Sequence, residues 1–210
     1  KTSGAGFSVL DRESILNKIN DVKKTVQGDL PNIYLMHGDF FDEEINELYN
    51  HPKVKVHISL THGEGFGRPL LESTLSEKPV IAPDWSGHTD FLKKPNAILL
   101  DGQLVDVPKE AFPEQFYVDG MKWFTVNYQK ASLTMKELYK NYRKYTLPAK
   151  KLAIFNKSNF SLNAMTKKLG TILDKYVPEF AEEVKLELPK LKKVEGTKPP
   201  EIKLPKLQKV

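Results

Sequence analysis

Apolar residues recur at helical spacing in some stretches and in unbroken or alternating runs in others, and the switches between the two predict the elements. Asp11 is placed to cap a helix from about Arg12 to Val26, with Ile15, Leu16, Ile19 and Val22 on one face. Asn32 to Met36 is a short apolar run predicted as a strand, ending at His37-Gly38. Asp42 to Tyr49 is predicted as a second helix, Ile45 and Leu48 inward. The acids Asp39, Asp42, Glu43 and Glu44 suit the positive end of that helix. Val54-Lys55-Val56-His57-Ile58-Ser59-Leu60-Thr61 is a strand pattern, and a glycine-rich turn follows it. A helix is expected over 69–76, a buried strand over 78–82, a short helix from Ser86 through Leu92 and a strand over 97–100. Short strands alternating with helices predict an α/β fold with a Rossmann-like parallel sheet.

Beyond residue 104 the rhythm changes. Residues 104–126 read as irregular, with Pro108 and Pro113 and a strand signal at Lys122-Trp123-Phe124. A polar-faced helix follows from about Tyr128 to Tyr145. Pro148 is expected to interrupt it before a resumption to about Phe155, and Ser161 caps a last helix to about Tyr176. These late helices would pack outside the sheet or lean on a neighbouring domain.

Charge separates the tail from the body. The 210 residues carry a net charge of +5, but residues 186–210 hold seven lysines and three glutamates, about +4 in all. The remaining body is nearly neutral, which gives no general case for nucleic-acid binding. Leu188-Pro189-Lys190-Leu191-Lys192-Lys193-Val194 returns, imperfectly, as Leu204-Pro205-Lys206-Leu207-Gln208-Lys209-Val210. Such Pro- and Lys-rich copies cannot bury a core of their own. Residues 1–180 therefore read as the folded domain. Residues 181–210 read as an extended basic arm, laid on the parent protein or left mobile, or else docking on an acidic partner or membrane surface. With no cysteine there can be no disulfide, thiolate zinc site or Cys nucleophile, and a reducing, cytoplasmic setting is the expectation. No apolar run approaches the roughly 20 residues of a membrane span.

The candidate chemistry sits in His62-Gly63-Glu64-Gly65-Phe66-Gly67-Arg68-Pro69-Leu70-Leu71-Glu72. Strand, glycine turn and helix in that order aim backbone N–H groups at an anion, commonly a phosphate. Pro69 suits the first helical position, where a missing N–H costs nothing. The glycine spacing is neither the dinucleotide fingerprint nor a phosphate-binding Walker loop. The five histidines show no ligand spacing, so no metal is expected; His62 and His88 remain candidates to neighbour a substrate or simply to order their turns. Phe66, Trp85 and Trp123 read as packing residues, with Trp85 in a loop on the ligand side of the sheet.

These residues carry a family pattern. Glu64 and Glu72 bracket the Gly-Phe-Gly turn with seven residues between them. Lys78-Pro79-Val80-Ile81 and Ser86-Gly87-His88-Thr89-Asp90 follow, and Gly38 stands after the second strand. Over residues 1–177 the chain resembles the donor-binding, C-terminal half of GT-B-type glycosyltransferases, nearest the retaining group-1 enzymes. The resemblance implies transfer of a hexose from a nucleoside-diphosphate sugar, with no cofactor and no metal beyond that donor. It implies that Glu64 contacts hydroxyls of the transferred sugar and that Glu72 accepts hydrogen bonds from the ribose diol. The amides of Gly65, Phe66 and Gly67 would face the sugar and diphosphate. Arg68 departs from the aliphatic residue common in the family; it could pair with the diphosphate, or with Glu72 or Asp84. Lys1 matches the basic phosphate ligand that follows the domain's first strand. By that alignment the first strand and the acceptor-binding domain would precede residue 1, leaving this chain able to bind donor but not to turn over alone. Two other readings stay open: a sugar-nucleotide epimerase on the same fold, and a non-enzymatic module that binds sugar nucleotide or acts as a scaffold.

Overall fold

The computed structural model describes residues 8–111 and 114–178, together with Gly196 and Glu201. Lys1 and nearly all of the Lys/Pro tail lie outside the described residues. The chain divides into two units, Lys1–Leu169 and Gly170–Val210. The sheet, the core and the candidate site lie in the first.

The helix α1 (Val9–Thr25) begins earlier than the periodicity suggests. Its cap is Ser8, and Asp11 is the third helical residue: Ser8 Oγ accepts from Asp11 N at 3.1 Å while Ser8 N donates to the Asp11 carboxylate at 3.2 Å. This reciprocal box satisfies two backbone donors that the helix cannot. The Ser8 hydroxyl also donates to the Asp11 carboxylate, and that bond, with the Ser8 N–H after it, holds the Asp11 carboxyl below its ordinary value. α2 (Asp42–Asn50) starts where its acid cluster predicts, with Phe41 N donating to the Glu44 carboxylate at 2.8 Å. Its carbonyl end is held by Lys78, whose ammonium donates to Tyr49 O and, at 2.8 Å, to His51 O. The predicted strand at 32–36 does not form. No described strand pairs with it, and Tyr34 is left 83% exposed. An isolated strand has no ladder to satisfy its backbone, so apolar content alone does not make one.

The parallel sheet is built from β1 (His57–Ile58), β2 (Val80–Pro83) and β3 (Ile98–Leu100) in that order. The register places His57 opposite Val80, and Ile81 opposite Ile98. α3 (Arg68–Thr74) joins β1 to β2, with Pro69 at the second helical position, where an N–H is equally dispensable. β1 is far shorter than the strand pattern at 54–61: His57 N and Ser59 N donate to Pro79 O and Ile81 O, while Val54 N turns back to His51 O. Successive β2 residues point to opposite faces, and both faces are covered. Val80 and Ala82 pack with Leu70, Phe91, Leu92 and Leu152. Ile81 packs on the other side with Leu100, Phe124, Val126, Ala131 and Leu138.

The irregular stretch holds a strand that the pattern conceals. β4 (Gly102–Asp106) pairs antiparallel with β5 (Lys122–Val126), Leu104 opposite Phe124. β4 is exposed over most of its length, so it carries no hydrophobic alternation to read. α4 (Tyr128–Lys140), capped by Asn127, ends at Asn141, and α5 (Arg143–Asn159) runs through Pro148. The break therefore comes before the proline. Pro148 lies early in α5, so its missing N–H frees one carbonyl, on exposed Lys144, which water can reach. Buried Asn156 of α5 donates to Thr74 Oγ1 of α3 at 2.9 Å, tying the two helices that cover one face. α6 (Leu162–Tyr176) starts at Ser161, whose Oγ accepts from Ala164 N. No described helix is long and apolar enough to cross a membrane.

Candidate functional site

Two loops leave the carboxyl ends of β1 and β2 side by side, the position where open parallel sheets take ligands. The first is the glycine turn and the second is Asp84–Gly87. They are fastened to each other by backbone. Gly87 N donates to Glu64 O at 3.0 Å, and Glu64 N donates to Ser86 Oγ at 2.8 Å. A Cβ on Gly87 would lie 1.9 Å from Gly65 O, so only glycine lets the loops approach this closely. Ser86 adopts φ 73° and ψ −164°, a conformation that ordinarily belongs to glycine. Its hydroxyl takes the Glu64 N–H, and its carbonyl takes both the N–H and the hydroxyl of Thr89, at 3.1 and 2.7 Å. Backbone strain held by a surrounding network of this kind concentrates at functional sites.

Gly67 caps α3 in the left-handed region, φ 84° and ψ 48°, and a Cβ there would press on His88 Cβ at 3.1 Å. His88 is fully buried; its Nε2 donates to Pro83 O at 2.6 Å and its Nδ1 has no hydrogen-bond partner among the described residues. It orders the turn from below. His62 orders it from the side: Nδ1 donates to Phe124 O at 2.7 Å, and the ring stacks on Trp123 with centroids 3.9 Å apart. Phe66 packs its ring against Phe91 and Phe160 while remaining partly exposed. The turn is therefore held by glycine contacts and rings, and its amides are spared. The N–H groups of Gly65, Phe66 and Gly67 donate to no other group among the described residues. Consecutive donors of this kind at the open end of a sheet favour an anion.

Arg68, the first residue of α3, reaches along the helix surface to Glu72, Nε to Oε1 at 3.0 Å. The alternative partner Asp84 pairs with Lys94 instead. With Arg68 76% and Glu72 40% exposed, the pair contributes only about 0.3–0.5 kcal/mol. It also draws the Glu72 carboxylate back towards the glycine turn. Glu72 lines a crevice of about 260 Å³ against α2, with Asn46, Tyr49 and Asn50 opposite. Burial, and after it the charge of Glu72, push the Tyr49 phenol above its ordinary value; Arg68 works the other way. Glu64 is half-buried and does not line that crevice. The two glutamates thus flank the turn, and of the two only Glu72 lines this crevice.

No family model and no curated protein matches the chain. Of the candidates, Glu64, Gly65, Phe66, Gly67, Arg68 and Glu72 form one continuous feature, strand end through first helical turn. Gly38 lies apart in sequence, in the loop before α2, with φ 133°. Lys1 lies outside the described residues. Ser86 and Gly87 belong to the site as the clamp on Glu64 and Gly65, roles that their sequence pattern alone did not assign. The signal was the Ser-Gly pair that follows a buried strand after two intervening residues, where a second loop must come close to the first.

Proposed function

We propose that the chain is the donor-binding half of a GT-B-type glycosyltransferase of the retaining kind, which moves a hexose from a nucleoside diphosphate to an acceptor. The observation that carries this reading is the set of uncommitted amides at Gly65, Phe66 and Gly67, at the carboxyl end of β1 and beside two carboxylates. In this reading the diphosphate lies against those amides, and the guanidinium of Arg68 adds positive charge while keeping its bond to Glu72. An ionised carboxylate accepts two hydrogen bonds, so Glu72 suits the vicinal hydroxyls of ribose and Glu64 those of the hexose. As the glycosidic bond breaks, negative charge grows on the departing diphosphate. Donors already fixed in place stabilise it without reorganising, which lowers the barrier. No side chain is assigned as a nucleophile. Turnover would need an acceptor-binding domain facing the glycine turn, and the setting would be cytoplasmic.

A thermal-shift panel of UDP-glucose, GDP-mannose and ADP-glucose tests the reading. A ligand present at 100 times its dissociation constant stabilises the folded state by about 2.7 kcal/mol, a readily measured shift. One donor is expected to raise the melting temperature, and Glu72→Ala is expected to reduce that rise. Equal shifts in mutant and wild type would remove Glu72 from the site, and no shift with any donor would remove the function.

A further inference from the structure

Trp85 follows β2 by two residues, and its backbone is pinned on both sides. Asp84 N donates to Leu100 O at 2.8 Å, and Ser86 Oγ receives the Glu64 N–H. Its indole lies parallel to the Phe124 ring in an offset stack, centroids 5.5 Å apart and planes within 5°. Phe124 is itself buried, and its carbonyl and N–H are bonded to His62, at 2.7 and 3.3 Å. The indole therefore rests on a fixed floor, yet Trp85 remains 42% exposed. A scattered exposed aromatic needs no explanation. An indole immobilised on one face and open to solvent, one residue from the clamp on Glu64, is a preorganised surface. Its Nε1–H donates to no described residue, so a donor is available at its edge.

We propose that Trp85 is a stacking platform for the hexose ring of the donor. The inference rests on the donor-binding reading above and extends it to the sugar subsite. A hexose presents an apolar C–H face and a rim of hydroxyls. The indole takes the face, and the carboxylate of Glu64, whose backbone N–H is held by the neighbouring Ser86, takes hydroxyls on the rim. A nucleobase would also stack on an indole. The sugar is favoured because Trp85 is coupled to Glu64, whereas Glu72 opens on a separate crevice beside Tyr49 and Asn46.

The test compares Trp85→Ala with the wild-type chain by titration calorimetry against UDP-glucose, GDP-mannose and ADP-glucose, and against UDP, GDP and ADP. For whichever pair the wild type binds, Trp85→Ala is expected to lose about tenfold or more in affinity for the sugar nucleotide and to keep its affinity for the nucleoside diphosphate. Trp85→Phe should retain most of both. Equal losses for the two ligands would make Trp85 a base platform and overturn the proposal, as would no loss at all. If Trp85→Ala does not fold, Trp85 emission is followed in a Trp123→Phe background. Stronger quenching by the sugar nucleotide than by the nucleoside diphosphate supports the proposal, and equal quenching overturns it. Wild-type chain that binds none of the six ligands defeats the donor-binding reading itself. Binding without a sugar-selective role for Trp85 defeats only the platform.

Discussion

Residues 57–160 and residues 8–50 read alike in sequence, as helices and strands with clear apolar faces, yet they end in different environments. In the first region the apolar positions close on both faces of the sheet: Ile81, Ala82, Phe91 and Ala153 are wholly buried. In the second neither α1 nor α2 contains a buried residue, Phe41 is 77% exposed, and Ile15, Leu16 and Ile19 are only half covered. Periodicity reports that a face exists. Burial depends on what meets it, and in the first region the sheet meets α3 and α5 on one side and α4 with β5 on the other. The same contrast holds at smaller scale within the site. Glu64 through Gly67 is anchored by Ser86, Gly87, His88 and Phe91, whereas Arg68 and Glu72 hold each other in solvent.

If that contrast is right, substitutions in the two regions should differ sharply. The largest effect is expected for Gly87→Ala, which drives a methyl group into the Gly65 peptide. Loss of about 3 kcal/mol, the upper end of overpacking costs, should appear as a lower urea midpoint; an unchanged midpoint would mean that the two loops are not clamped together. Ser8→Ala in the loosely packed region removes one half of a capping box and should cost about 1 kcal/mol. A cost as large as that of Gly87→Ala would show that α1 is integral to the core. The smallest effect belongs to Arg68→Ala, a few tenths of a kcal/mol in stability, since the pair it breaks is exposed. Arg68→Ala should nonetheless weaken donor binding, and a stability loss without a binding loss would make it a structural residue only.

Much of this was legible in the residues, for reasons that can be named. β2 announces itself because a strand covered on both faces must be apolar throughout, and Val80 to Ala82 is. The glycine turn is legible because close loop approach and positive φ both demand residues without side chains. β4 was hidden because its side chains face solvent, so nothing in their polarity marks it. The strand expected at 32–36 failed for the opposite reason: the apolar signal was present and the ladder partner was not. Ser86 was missed as a strained residue because its conformation is dictated by the loop beside it, which no local pattern records. For Arg68 the structure decides which acid it meets, by reach. One helical turn separates it from Glu72, while Asp84 is taken by Lys94.

The central claim is that the amides of Gly65, Phe66 and Gly67 grip the diphosphate of a sugar nucleotide. Amide-resolved NMR of the chain titrated with UDP-glucose, GDP-mannose and ADP-glucose addresses it directly. The account predicts that one of them shifts these three resonances most, saturably, with Glu64 and Arg68 next. Saturable binding that leaves all three unmoved while shifting amides elsewhere would contradict it.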